Sequence, residues 1–262
     1  MTPWQRRIQR AEELAEQHVF AAEILGFYIH VARFQEELNT RMSAAFPRQV
    51  SEDQPELSAE ELSELSPRFG AFLSLAEEHG PKALAELSRE LRGRGEGFWA
   101  ELLKNAWMTH SPSDAQGFLA LAFLQPYAEL LRSRAALKPR DVAYAVCPFC
   151  NRRPSFGVMR QMGDGASRSL VCSFCLTEWE FRRIVCPGCG EENDKKLAVF
   201  TAEDFDYIRV ECCESCKTYI KTVDLTKNGR AEPLVDELAS APLDLWVRER
   251  GYAKLQSNLF GM

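Results

Sequence analysis

The sequence predicts an α+β protein: an N-terminal all-α helical bundle, then two four-cysteine ribbon modules, then short C-terminal helices. Three observations predict it. All nine cysteines of the 262 residues fall within 147–216. The cysteine-free stretch 1–146 repeats apolar residues at three- and four-residue spacing, the period of a buried helix face. Strand-like runs separated by turn residues lie between the cysteines. The expected division is a helical domain at 1–140, a first module at 141–181, a second at 182–225 and a helical segment at 226–262.

The helices follow from periodicity and punctuation. Residues 4–46 read as helical with a break near His18, because Ile24, Phe27, Tyr28, Val31, Phe34 and Leu38 share one face. Pro47 ends the run. Ser58-Ala-Glu-Glu61 has the hydroxyl-then-glutamate spacing of a capping box. Helices follow at 59–65, 67–79, 81–92 and 97–109, divided at Pro67, Gly80-Pro81 and Gly93-Arg-Gly-Glu-Gly97. Those three glycines follow a helix rather than a strand, so they read as a turn and not a phosphate loop. Ser111-Pro112 starts the last helix of the bundle, with serine as cap and proline at the first helical position, running to about Ala136 with a kink at Pro126. The four histidines all lie in this half and form no metal or nucleophile signature. The aromatic faces read as core.

The chemistry is in the cysteines. Four C-x-x-C units occur: Cys147/Cys150, Cys172/Cys175, Cys186/Cys189 and Cys213/Cys216. Each such turn aims two sulfurs at one point, and two facing turns complete a tetrahedral thiolate shell. The first and second units are 21 residues apart, the third and fourth 23, and the second and third only 10. Sequential pairing is therefore preferred over an interleaved cross-brace. The intervening sequence supports it. Ser155–Met162 with Arg168–Cys172 around Gly163-Asp-Gly165, and Lys196–Ala202 with Tyr207–Cys212 around Glu203–Asp206, read as hairpins that bring each pair of turns together. Asn151 and Gly190 after the first and third units tolerate the left-handed conformation a knuckle needs. Leu176 and Lys217 after the other two fit it less well. Cys212 reads as a small buried hydrophobe. Arg152, Arg153, Arg182 and Arg183 flank the knuckles and can offset thiolate charge.

Both sites are complete with protein thiolates, so neither keeps a position for substrate or water. Hydrolytic zinc catalysis is excluded on that ground, and a non-enzymatic role is expected. The spacing suits zinc-ribbon or rubredoxin-like sites holding zinc or iron, between which the ligands do not choose. Thr218–Leu225 reads as a strand, and Pro233–Ala239 and Pro242–Arg250 as two helices, the second capped by Ser240. Phe260 reads as a mobile end.

Charge limits the partners. The chain has 32 basic and 38 acidic residues, a net −6, and the segment 147–216 is itself acidic, with 9 basic and 11 acidic residues. Eight thiolates around two divalent ions take the total to about −10. That opposes a nucleic-acid or anionic-membrane surface. No apolar run approaches the roughly 18–20 residues of a membrane span. The first residues lack the apolar core of a signal peptide, so a cytoplasmic location is expected, where cysteines serve as ligands rather than disulfides.

The cysteine half resembles a known family, the formate dehydrogenase accessory protein FdhE. The resemblance is carried by Cys147-Pro-x-Cys150, Cys172-x-x-Cys175-x-Thr177-Glu178-Trp179, Cys186-x-x-Cys189 and Cys213-x-x-Cys216-x-x-Tyr219-x-Lys221. It continues through Asp236-Glu-Leu-Ala-Ser240, Leu243-Asp244 and Gly251-Tyr252. It implies a cytoplasmic maturation factor that contacts the catalytic subunit of formate dehydrogenase, with iron or zinc in the four-cysteine sites. It makes Glu178, Trp179, Tyr219 and Lys221 candidates for contacts behind the ligands or with the partner. Two other readings compete: a rubredoxin-like electron carrier or redox sensor, and a zinc-ribbon nucleic-acid binder, which the acidity of the ribbons disfavours.

Overall fold

The computed structural model describes residues 1–47, 50, 56–109, 114–137 and 144–258. Among the described residues, the first half holds the α-helices α1 (Pro3–Gln17), α2 (Ala22–Ala45), α3 (Ala59–His79), α4 (Lys82–Arg92), α5 (Glu96–Met108) and α6 (Ala115–Ser133). The expected break falls at His18, whose extended backbone (φ −125°, ψ 92°) leads into a single 3-10 turn at Val19–Ala21. The capping box at Ser58 is formed: its hydroxyl accepts from Glu61 N–H at 3.2 Å, and the Glu61 carboxylate accepts from Ser58 N–H at 2.8 Å. Gly95, at φ +80°, makes the turn between α4 and α5.

One proline behaves differently from expectation. Pro67 does not divide α3, which runs unbroken across it. Leu65, Phe69, Phe72, Leu73 and Ala76 form one continuous buried face, and that packing outweighs the single backbone bond proline removes. Pro126 lies inside α6 and leaves the carbonyl of Ala122 without its helical donor. Gln35 of α2 supplies one from its Nε2 at 2.6 Å, and Asn39 Nδ2 donates to the Pro126 carbonyl at 2.9 Å. The helical defect thus becomes a polar seam between α2 and α6. The cap of α6 is Asp114, which accepts from Gly117 N–H at 2.8 Å. Ser111 and Pro112, expected to start this helix, lie outside the described residues, as does Phe260.

The second half is one mixed sheet. Its strands are β1 (Pro154–Met162), β2 (Gly165–Cys172), β3 (Glu178–Glu180), β4 (Leu197–Ala202), β5 (Phe205–Cys213), β6 (Thr218–Asp224) and β7 (Ala253–Lys254). The order is β3-β2-β1-β6-β5-β4, with β7 also on β6. Both expected hairpins are present, β1–β2 turning at Gly163 (φ +56°) and β4–β5 at Glu203-Asp204. The two modules join where β1 runs parallel to β6, with Phe156 opposite Lys221 and Met159 opposite Asp224.

Helices α7 (Pro233–Ala239) and α8 (Ala241–Arg248) cover part of the sheet. Leu234, Val235 and Leu238 of α7 pack with Leu14, Leu25 and Tyr28 of the bundle and with Phe156 and Val158 of β1. Arg10 of α1 fixes the same contact by a buried ion pair to Asp236, Nη2 to Oδ1 at 2.6 Å, with Tyr207 donating to that oxygen at 2.8 Å. Ser240 does not cap α8 with its side chain. Its hydroxyl instead donates to the Glu237 carbonyl and accepts from Lys221.

Candidate metal centres

The structure groups the cysteines sequentially. Cys147, Cys150, Cys172 and Cys175 form one cluster, and Cys186, Cys189, Cys213 and Cys216 the other, the four sulfurs of each lying within 4.8 Å of one another. In the first, Cys147–Cys175, Cys150–Cys172 and Cys150–Cys175 are 3.5, 3.4 and 3.6 Å apart. In the second, Cys186–Cys216 and Cys189–Cys213 are each 3.7 Å apart. A tetrahedron with metal–sulfur bonds of about 2.3 Å has edges of about 3.8 Å. A disulfide is about 2.05 Å, and all nine cysteines are free. The sulfur shells therefore fit a thiolate-bound ion, and both can hold one.

The local chain explains the convergence. Asn151, Leu176, Gly190 and Lys217, each one residue past a knuckle, are all left-handed, with φ of +58°, +53°, +76° and +55°. Leucine and lysine thus adopt the conformation that their residue types disfavour by about 1–2 kcal/mol each. Backbone N–H groups of Phe149, Phe174 and Gly188 point to the sulfurs of Cys147, Cys172 and Cys186 at 3.3–3.4 Å. A C-x-Thr step recurs at the last ligand of each cluster: the Thr177 hydroxyl lies 3.0 Å from Cys175 Sγ, and that of Thr218 lies 3.0 Å from Cys216 Sγ. The repeat was visible in the sequence as Cys175-Leu-Thr177 and Cys216-Lys-Thr218 but carries meaning only once the hydroxyls are seen on the sulfurs.

The surroundings differ sharply. The first cluster is buried in the same core as the bundle, with Phe174 edge-on to Trp107 at 5.4 Å between ring centroids. Arg152 is 1% exposed. It donates from Nη2 to the carbonyls of Ala106 and Trp107 at the end of α5, both at 2.8 Å, and lies 4.1 Å over the Phe174 ring. Burial pulls its guanidinium down from the ordinary value, and the charge on the sulfurs of the first cluster pulls it back up. Burial also pushes the Cys172 and Cys175 thiols well up, so protons stay on them unless a cation takes their place. In the second cluster Cys189 is exposed and Cys216 half-buried. Burial pushes the Cys186 thiol up to about 12. Burial also raises Cys216, but hydrogen bonds from the Thr218 side chain and backbone outweigh it and bring that thiol down to about 7.

Of the other sequence candidates, Glu178 is exposed and chelated by Arg160 at 3.0 and 2.9 Å. Trp179 is half-buried and donates to the Tyr144 carbonyl at 2.8 Å. Tyr219 and Lys221 are fully buried under α8, both bonded to Asp244, at 2.7 and 2.6 Å. Lys221 also reaches the Glu237 carbonyl at 2.6 Å, and Lys254 pairs with the Glu237 carboxylate, so two lysines and two carboxylates neutralise one another in the interior. Cys212 packs with Ile208 and Val210 and belongs to neither cluster, and burial pushes its thiol up to about 12.

The FdhE central domain family matches residues 146–183, and the FdhE C-terminal domain family matches residues 184–260. An FdhE homolog of Pseudomonas putida KT2440 is 30% identical over 277 residues, covering 97% of this chain and 85% of the relative. One from Aquifex aeolicus VF5 is 26% identical over 265 residues, covering 97% and 94%. The crystal structure of the FdhE protein from Pseudomonas aeruginosa has the same fold, with a TM-score of 0.67 at 24% identity over 99% of this chain and 96% of that one. With two four-sulfur clusters on that architecture and a relative matched along nearly its whole length, the chain belongs to the FdhE family.

Proposed function

We infer that this protein is a cytoplasmic accessory factor for the maturation of formate dehydrogenase, that it binds the enzyme's catalytic subunit, and that it catalyses no reaction itself. The observation that carries the reading is the pair of complete four-sulfur clusters, which fit two ions and leave no coordination position for a substrate. The eight cysteines are the ligands, and the ions are iron or zinc. Family membership supports the choice of partner, since FdhE is the accessory protein the sequence resembles. The acidity of the chain supports a protein partner over nucleic acid. The test is co-purification with the immature catalytic subunit, together with formate dehydrogenase activity in cells lacking this protein. Failure to co-purify and normal activity in those cells reject it.

A second reading is favoured by one observation, the exposed Cys189 in the second cluster. An iron ion there sits close enough to solvent to exchange electrons with a partner. The as-isolated protein, with its iron ferric, is then red, with thiolate-to-iron absorption. Colourless protein with two zinc ions rejects it.

A further inference from the structure

The two edges of the sheet are built differently. The β3 edge is three residues long, carries Glu178 and Glu180, and is clamped by Arg160, features that discourage a further strand. The β4 edge, Leu197-Ala-Val-Phe-Thr-Ala202, has six residues with no charge, proline or glycine. Among the described residues no strand lies beyond it. Glu214 N–H donates to the Lys196 carbonyl at 2.9 Å, and the antiparallel register then alternates. Val199 therefore turns both its N–H and its C=O outward, and Leu197 its C=O, the Leu197 N–H already donating to the Asp194 carbonyl.

Each face of this edge offers apolar surface. On one, Phe200 meets Trp246 edge-on at 5.1 Å, beside the exposed Leu245. On the other, Val199 and Leu197 line a cleft of about 440 Å³ with Ile184, Arg168, Arg183 and Arg209. Val199 is 44% exposed and Ile184 58%. Glu211 lies between two of the arginines, 2.5 Å from Arg168 and 3.5 Å from Arg209, and Asp194 accepts from Lys195 N–H. Arg183 is exposed, and the side chain of Arg168, 2% exposed, keeps its Nε without a hydrogen-bond partner. Three cations thus face two carboxylates that are already engaged. Cys186 and Cys213 line the same cleft, so an occupant lies against the second cluster.

We propose that the β4 edge docks an extended segment of the formate dehydrogenase catalytic subunit, which adds as a strand outside β4. This rests on the function inferred above. The segment carries apolar residues at alternate positions, one set entering the cleft and the other meeting Phe200 and Trp246, with an acidic side chain on the cleft side for Arg183. Main-chain bonds to the Leu197 carbonyl and to Val199 supply the register, and the arginines select acidic over basic segments.

The test uses the full-length, metal-loaded protein and the purified catalytic subunit. Val199→Pro removes an outward N–H while leaving the ladder to β5 intact. Ile184→Glu places an anion at the cleft mouth. Both are expected to weaken capture of the subunit at least tenfold, with unchanged circular dichroism and metal content. Met162→Glu, on the distant β1–β2 turn, binds as the parent does. Hydrogen exchange shows the Val199 amide protected only in the complex. Parent-like binding by both variants, or a Val199 amide unprotected in a complex that forms, overturns the docking site while leaving the functional reading intact. If the parent protein itself does not capture the subunit, the functional reading falls and this site falls with it.

Discussion

The two four-cysteine sites are near copies in their local chemistry and opposites in their surroundings. Each has two knuckles joined by a hairpin, a left-handed residue after every knuckle and a threonine hydroxyl on its last sulfur. The first is walled by Trp107 and Phe174 and faces a buried arginine that also holds the end of α5. The second lies at the far side of the sheet with one sulfur in solvent. The knuckles supply four sulfurs able to hold a metal. The wall sets whether a metal held there would be part of the folded core or open to exchange. The first site is accordingly a joint between bundle and sheet, and the second is the one a partner or reagent can reach.

The largest expected effect separates the two. Cys172→Ser removes a fully buried ligand and leaves three thiols in an apolar core with no ion to replace their protons. Because structural metal binding is folding free energy, the joint should fail, with loss of near-UV dichroism and of one ion by elemental analysis. Cys189→Ser removes an exposed ligand and should lose one ion with the bundle intact. A chelator applied to the parent protein should likewise release one ion quickly and the other only on unfolding. Equal damage from the two substitutions, or equal release rates, would break the contrast between the sites.

Next is Arg152→Met, which keeps length and apolar contact with Phe174 but deletes the charge. Two helix-end carbonyls lose their donor, and the thiolate cluster loses its nearest buried cation. Removing one partner of a buried ionic arrangement costs about 3–5 kcal/mol. Urea unfolding should show a loss in that range. Lys217→Met beside the second site, where the ammonium is exposed, should cost less than about 1 kcal/mol.

Threonine at the last ligand gives a smaller effect. Thr218→Val deletes the hydroxyl 3.0 Å from Cys216 Sγ. That bond favours the thiolate, so without it protons compete better for the sulfur at neutral pH. Groups behind the ligands are worth about tenfold or more in metal affinity. Competition with a chromophoric chelator should show about a tenfold weaker second site and an unchanged first one.

The sites were legible in the sequence because a C-x-x-C turn is local and its partner lies one hairpin away. The 10-residue gap between Cys175 and Cys186 already favoured the sequential grouping that the sulfurs adopt. The hairpins were legible for the same reason. The join of β1 to β6 was not, since Phe156 and Lys221 are brought together only by the whole topology. Nor was the passage of α3 through Pro67, which depends on a buried face supplied by other helices. The difference between the two sites was hidden as well. Arg152 stood out as a flanking cation, but nothing near it announced that its partners would be Ala106 and Trp107.

The smallest effect tests how far the left-handed knuckle residue is tolerated rather than chosen. Leu176 and Lys217 hold φ near +55° against their intrinsic preference, and the sequence pattern gave little reason to place them there. Leu176 packs against the cluster formed by α1, α2 and β1, so its side chain returns part of the conformational cost. The Lys217 side chain is exposed, pairs with Glu214 and lies over the ring of Tyr252, at 5.2 Å from its centroid. Exposed contacts of that kind are worth little. Lys217→Asn, which relaxes the left-handed strain and forfeits those contacts, should stabilise the metal-loaded protein by about 0.5–1 kcal/mol in thermal unfolding. Asparagine at 176 should do the reverse, because the buried leucine contacts there outweigh the strain it would relieve. The same substitution is thus expected to carry opposite signs at equivalent positions of the two sites, because one position faces the core and the other faces water.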